Sequence, residues 1–395
     1  MNIVRGACGH DCPDTCSWIV EVRDGTAEKL SGDPAHPFTR GTLCAKVNHY
    51  LDRVYHSDRV LHPLKRVGRK GEARFERVSW DEALGDIASR WKTIVDESGA
   101  EAILPHSSAG VQGVIQQSSL DRRLLGSMGC SDLDRNICGA VAEAGLTVTI
   151  GTGTGIDPEE VVHSRYIVLW GTNTIVTNLH FWPLVREAQS RGARLVVVDP
   201  IRTRTAEAAD WHLQIRPGSD AALALAMMHV IVRDDLVDHD YVSRYAVGYD
   251  ALVERVQQYT PERVADTVGL PAADIERFAR EYATTTPSLL RPLIGIEHHR
   301  NGAMQFRALG CLPVSHRSVE ASRRRSCTLH SRAALRRPGD GPRRDAGGLQ
   351  ARRSRAEHAR HRQRSLQSQP DAAGSFPHRL RRQPDGVDAE SEPDS

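Results

Sequence analysis

Residues 7–17 read ACGHDCPDTCS, setting Cys8, Cys12 and Cys16 at equal four-residue steps, and Cys44 follows in the stretch GTLCAK. Thiols this dense hold a structural zinc, an iron–sulfur cluster, a radical-generating cluster or a pair of disulfides. Zinc usually takes its thiolates from paired C-x2-C knuckles. A 4Fe-4S cubane needs four thiolates converging from several directions, and three from one loop plus one distant return satisfy that. A radical-type cluster uses three cysteines and leaves one iron open, whereas here a fourth cysteine is present. The pattern C-x3-C-x3-C-x27-C therefore favours a 4Fe-4S cluster on Cys8, Cys12, Cys16 and Cys44. Lys46, two residues past Cys44, reads from the sequence alone as a solvated charge, with a relay beside a cluster as its other reading.

The rest of the chain must position that loop. The 395 residues, with 39% hydrophobic residues and a formal net charge of +2, suffice for two or three domains with substantial cores. No apolar run approaches the roughly 20 residues needed to cross a bilayer. The opening MNIVRGACGHD has neither a twin-arginine pair nor an apolar secretory core. The expected location is the cytosol, where eight cysteines point to metal or redox chemistry more than to disulfides.

Composition breaks at about Ser315. Beyond it lie no Lys, Ile, Met, Trp or Tyr, yet about a third of the chain's 52 basic residues, every one an arginine. Such a segment cannot bury enough apolar surface to fold, and its residues come largely from GC-rich codons. Residues 315–395 are expected to be a disordered, Arg-rich tail translated in a shifted frame; a native basic tail that binds RNA or membrane is the other reading. Without it, the first 314 residues are mildly acidic.

Residues 1–60 are short, polar and turn-rich, with a hairpin expected to return the chain to Cys44, in the manner of a metal-nucleated subdomain. Ser79 and Glu82 form a capping box for a helix ending near Gly99, with Leu84, Ile87, Ala88, Trp91 and Val95 on one stripe. AEAILPHSS is expected to be a buried strand and residues 114–129 a helix. SRYIVLWG and ARLVVVDP read as buried strands joined by the helix HFWPLVREAQSRG, which makes a parallel βαβ unit. Two further helices follow, in GSDAALALAMMHVIVRDDL and PAADIERFAREYATT. The fold class is α/β: a small cluster-bearing subdomain over residues 1–60, then doubly wound parallel-sheet structure over 61–314.

Ligands of open α/β sheets sit at the carboxyl ends of the strands, where WGTNTIVTN and DPIRTRT would lie side by side. There Gly171 admits a phosphate to the backbone, Thr172 and Asn173 offer donors, Asp199 accepts from a ribose hydroxyl and Arg202 meets phosphate. RPGSD puts Gly218 and Asp220 at a helix start, where a carboxylate suits the edge of a guanine. Taken singly, Asn173 and Asp220 are more often turn and N-cap residues. No G-x-G-x-x-G fingerprint supports a nicotinamide, and GTGTG at 151–155 reads as a flexible connection.

In order, CGHDCPDTC, GTLCAK, VSWDEAL, NICGAVAEAG, YIVLWGTN, LVVVDPIRTRT and RPGSD resemble the molybdopterin oxidoreductases of the dimethyl sulfoxide reductase and formate dehydrogenase superfamily, over residues 1 to 314. The resemblance implies a 4Fe-4S cluster on the four cysteines, with Lys46 between cluster and pterin. It also implies molybdenum or tungsten held by a bis(molybdopterin guanine dinucleotide) cofactor. In the family the side chain on that metal lies seven residues before a glycine, as Cys138 lies before Gly145, and a thiolate suits such a metal. Without the resemblance a lone Cys138 reads as a small buried hydrophobe. Gly139 stands where formate dehydrogenases carry a histidine, which argues against formate. Gly171, Asn173, Asp199, Arg202, Gly218 and Asp220 carry over as contacts to the guanosine end of one pterin. GIEHHRNGAMQFRALGCLPV is similar to the family's helix leading to an LTG motif, with His298, His299 and Arg300 expected in an exposed polar loop.

The function implied is electron transfer between a bis-pterin metal site and the cluster, coupled to a small-molecule substrate and an electron-transfer partner protein. No nucleic-acid partner and no membrane span are expected. Against it stand a non-catalytic chain that folds only its cluster subdomain, and a zinc protein whose basic tail binds RNA. Sequencing the gene beyond codon 314 is expected to show the apolar periodicity continuing in another frame; polar sequence in all three frames would contradict the shifted-frame origin of the tail.

Overall fold

The computed structural model describes residues 1–106, 110, 111, 115, 119–133, 139–151, 155 and 157–315. Strands β1 (Asn2–Ala7), β2 (Ser17–Arg23) and β3 (Thr26–Gly32) form an antiparallel sheet in that order. The cysteine loop connects β1 to β2, and Asp24-Gly25 turns β2 into β3, both residues at positive φ as a tight hairpin demands. A second hairpin pairs β4 (Leu64–Arg66) with β5 (Phe75–Arg77).

Helix α1 (Trp80–Ser98) starts as its capping box dictates, with Ser79 Oγ accepting from the Glu82 amide at 3.1 Å, and stops at Gly99. Its apolar stripe exists but is not core. Leu84 and Ile87 are exposed and Trp91 and Val95 half-buried, because periodicity marks an apolar face without saying what covers it. The strand expected across AEAILPHSS is absent over its described part: Ala100–Ala102 is a 3₁₀ turn and residues 103–106 are irregular. The short apolar run Ala-Ile-Leu fits a turn as well as a strand when nothing pairs with it. Of the helix expected over 114–129, α2 (Leu120–Met128) is described; the GTGTG run lies mostly outside the described residues.

The parallel sheet is as expected. Strands β6 (Tyr166–Trp170), β7 (Arg194–Val198), β8 (Trp211–Leu213) and β9 (Ser288–Pro292) stand in the order β8-β7-β6-β9, every pair parallel. Both faces are covered, which is why these strands read as continuous apolar runs. Tyr166, Val168, Trp170, Val196 and Val198 point into one core, and Ile167, Leu169, Leu195 and Val197 into the other. Helix α3 (Ala140–Ile150) contributes to the first core, and α4 (Phe181–Ser190), the β6–β7 crossover, makes much of the second. The first core is completed by α5 (Asp220–Arg233), α6 (Tyr249–Val256), α7 (Pro261–Val268), α8 (Ala272–Thr284) and α9 (Gly302–Cys311). Among the described residues no helix is long and apolar enough to cross a membrane.

Helices α3 and α9 cross at Gly145, where an added Cβ would overlap the Ala303 carbonyl and press on Phe306. Gly145→Ala is therefore expected to cost about 1–3 kcal/mol through overpacking. Gly85→Ala, on the open face of α1, is expected to stabilise by about 0.5–1 kcal/mol through helix propensity. Thermal unfolding of the two variants checks the contrast.

Candidate functional site

Of the four predicted cluster cysteines, Cys8, Cys16 and Cys44 share one small nucleus, and Cys12 lies near enough to interact electrostatically with Cys8 and Cys44. Cys8 follows β1 and its amide donates to the Cys16 carbonyl at 2.7 Å, which closes the loop. Cys16, Leu43 and Val47 form a small buried apolar nucleus against which Cys8, Cys44, Trp18, Leu30 and Tyr50 pack. Cys44 caps the single helical turn Ala45–Asn48 and carries the exposed Lys46 just beyond it. Thr15, at φ 51°, takes the left-handed conformation between buried Asp14 and buried Cys16. All four cysteines are free thiols. Among the described residues no three His, Cys, Asp or Glu side chains are drawn together as ligands of one metal ion.

Electrostatics mark this loop as a place for a positive centre. Burial, then Asp14, then the neighbouring thiols push the Cys12 thiol up to about 11 and the Cys16 thiol up to about 12. Burial and its hydrogen bond with Cys8 also push the Tyr50 hydroxyl up. Thiolates can share this shell only if a cationic core neutralises them, which the irons of a cluster would do. The donor set therefore fits a 4Fe-4S group.

Asp14 was not singled out from the sequence, although it lies within CPDTC. It is 2% exposed, and its carboxylate reaches across to the turn before α4. Asn178 Nδ2 donates to Oδ1, and the His180 amide donates to Oδ2 at 3.1 Å. His180 Nδ1 stands 2.7 Å from the same Oδ2, and its Nε2 lies 3.1 Å from the Thr42 carbonyl, two residues before Cys44. The Nδ1 edge is also 3.8 Å from Cys16 Sγ. Arg291, at the end of β9, is fully buried against the Phe181 ring; burial pushes its guanidinium down to about 10, and the charge opposing that shift is Asp14.

At the carboxyl end of the sheet the predicted nucleotide loops do lie side by side. Gly171, at φ 64°, passes so close to the β9 loop that a Cβ would come within 2.8 Å of Ile296 Cγ1. Asn173 Oδ1 accepts from Thr205 Oγ1 at 2.8 Å, which in turn accepts from the Ile175 amide, so the loops after β6 and β7 are stitched together. Asp199 Oδ1 accepts from the Ile201 amide, and burial raises its carboxyl. Asp220 opens α5 with Ser219, not Asp220, at the N-cap; its Oδ1 accepts from Trp170 Nε1 at 2.7 Å, and burial raises its carboxyl too, with Asp199 adding to the shift. Gly218 lies against the His299 ring, which is half-buried rather than loop-exposed, whereas His298 and Arg300 are exposed as expected. Arg202, in the loop after β7, is exposed.

Cys138 lies outside the described residues. The helix immediately after it is held by a residue the sequence did not flag. Glu297, 3% exposed, accepts from the amides of Gly139 and Ala142, each at 3.0 Å, at the start of α3.

A molybdopterin oxidoreductase family model matches residues 59–343, and the Fe4S4 domain model of the same oxidoreductases matches residues 1–56. The chain belongs to the molybdopterin oxidoreductase family. Its two matched regions assign to it the family's molybdenum–pterin cofactor and a 4Fe-4S cluster. It is 43% identical over 313 residues to the probable oxidoreductase YoaE of Bacillus subtilis, spanning 79% of this chain and 46% of that protein. Against the dimethyl sulfoxide reductase DmsA of Escherichia coli the identity is 30% over 353 residues, spanning 79% and 43%. The structure of acetylene hydratase from Pelobacter acetylenicus superposes with a TM-score of 0.65 at 31% identity, covering 78% of this chain and 43% of that one. The chain thus spans less than half the length of these relatives.

In the metal-free chain, Cys12 is expected to alkylate about a hundredfold more slowly at pH 8 than an ordinary thiol, and Cys16 more slowly still. Because the fold raises both thiols, the stability they contribute is present below about 9 and lost as pH climbs through about 11 and 12. Peptide mapping after timed iodoacetamide exposure, with denaturant melts from pH 8 to 11, checks both.

Proposed function

We propose that this chain serves a molybdopterin-dependent oxidoreductase that moves electrons between a molybdenum or tungsten bis(molybdopterin guanine dinucleotide) site and a 4Fe-4S cluster, at the expense of a small-molecule substrate. When bound, the metal–pterin group supplies two-electron chemistry and the cluster one-electron transfer. Cys8, Cys12, Cys16 and Cys44 hold the cluster, with residues 1–60 as its subdomain and 61–314 as the pterin-binding region. Lys46 extends from the turn after Cys44 as the cation between the two groups. Cys138, next to Gly139 in the sequence, ligates the metal, and Glu297 fixes the start of α3 through the Gly139 and Ala142 amides.

Gly171 and Asn173 place backbone and amide donors near the nucleotide's phosphates, with Arg202 at the rim. Asp199 takes the ribose, and Gly218 and Asp220 take the guanine edge. Burial that raises both carboxyls also strengthens any hydrogen bond they make to a bound nucleotide. An electron-transfer protein is the macromolecular partner, and the cytoplasm the location.

The observation that carries this reading is the packing of Cys8, Cys16 and Cys44 on one buried nucleus, with Cys12 in electrostatic reach, tied through Asp14 and His180 to a parallel sheet whose end gathers the nucleotide loops. The test is elemental analysis of the anaerobically purified chain for Fe, Zn, Mo and W, with its visible spectrum. Iron with molybdenum or tungsten and a broad thiolate-to-iron absorption is expected. Iron alone would leave a cluster protein without the oxidoreductase activity, and zinc alone would defeat the assignment.

A further inference from the structure

A buried carboxylate two residues from both Cys12 and Cys16 works against an electron arriving on their cluster. Reduction adds one electron and breaks no bond, so its cost is set by the charges and hydrogen-bond donors within the protein shell. Asp14 lies beside that shell, 2% exposed and so withdrawn from bulk solvent. As a carboxylate it can only accept, and three donors converge on it, from Asn178 Nδ2, the His180 amide and His180 Nδ1.

His180 does the opposite. Its Nε2 lies 3.1 Å from the Thr42 carbonyl, so the far side of the ring is held against the return to Cys44. Its Nδ1 edge faces both Asp14 and, at 3.8 Å, Cys16 Sγ. An N–H directed from that edge lies beside a ligand sulfur, where it would stabilise the electron density that reduction adds. The ring is 3% exposed in its side chain and packs beside Phe38, so it has no freedom to turn away. One imidazole thus touches both cluster-bearing segments, the Cys12–Cys16 loop through Asp14 and the return to Cys44 through Thr42.

We propose that Asp14 and His180 are opposed positioning residues that set the cluster's reduction potential, the carboxylate lowering it and the imidazole, oriented by that carboxylate, raising it. This rests on the cluster assignment made under the proposed function. The pair also ties the potential to the fold, because His180 starts α4, the first crossover of the parallel sheet.

The full chain, purified anaerobically with its cluster, is titrated with dithionite through redox mediators while the reduced cluster is followed by electron paramagnetic resonance. Asp14→Asn is expected to raise the midpoint and His180→Phe to lower it, each by roughly tenfold in the one-electron equilibrium, about 59 mV. His180→Gln, which keeps an N–H donor, is expected to stay nearer the unmodified chain than His180→Phe. Shifts of one sign in Asp14→Asn and His180→Phe, or unchanged midpoints in both, would overturn the proposal. Loss of iron from all three variants at unaltered circular dichroism would do the same, since a purely structural role predicts it. An unmodified chain that holds zinc in place of iron would defeat the cluster assignment itself, and this inference with it.

Discussion

The carboxylate of Asp14 is where the cysteine loop and the parallel sheet hold each other. It is buried between two candidate ligands, and its partners lie more than 160 residues away, on the turn that leads into α4. A buried charge is tolerable only when paired and hydrogen-bonded; removing one partner of such a pair typically costs about 3–5 kcal/mol. Asp14 meets the condition with Asn178, His180 and the opposing charge of Arg291. The loop that carries three thiols is consequently not a free surface loop. It is fixed to the start of α4 through Asn178 and His180, with the buried Arg291 guanidinium of β9 supplying an opposing charge.

The same logic runs along the carboxyl end of the sheet. Strands buried on both faces leave their terminal loops as the place where polar groups can gather. Each loop there is held by a specific contact: Asn173 to Thr205, Asp220 to Trp170, Gly171 against Ile296. Glu297, on the loop after β9, spends both carboxylate oxygens on the first turn of α3, immediately after Cys138. Two buried carboxylates, Asp14 and Glu297, thus anchor the backbone next to the two kinds of candidate metal ligand. Neither carboxylate is itself proposed to bind metal.

What the sequence made legible follows from what is local. The thiol spacing, the Ser79 capping box, the apolar runs of β6 and β7 and the helices over Asp220–Arg233 and Ala272–Thr284 are patterns within short windows, and each appears in the fold. The strand assigned to AEAILPHSS failed because an apolar run needs a neighbour to become a strand, and Ala100–Ala102 turns instead. The stripe on α1 was real, yet Leu84 and Ile87 are exposed, because a periodicity names a face and not its cover. Asp14, His180, Arg291 and Glu297 were missed for a different reason. Their meaning lies in contacts between distant segments, which one sequence does not display; the available hint was a lone Asp between two candidate ligand cysteines and a His just ahead of the apolar start of an amphipathic helix.

These contacts anchor the thiol loop whatever it holds, but their role in electron transfer requires that the four thiols hold a cubane and not one zinc ion. X-ray absorption on the anaerobically purified chain separates the two most directly. The account predicts iron coordinated wholly by sulfur, with a second shell of neighbouring irons. Absorption at the zinc edge, with four sulfurs at about 2.3 Å and no iron present, would contradict it.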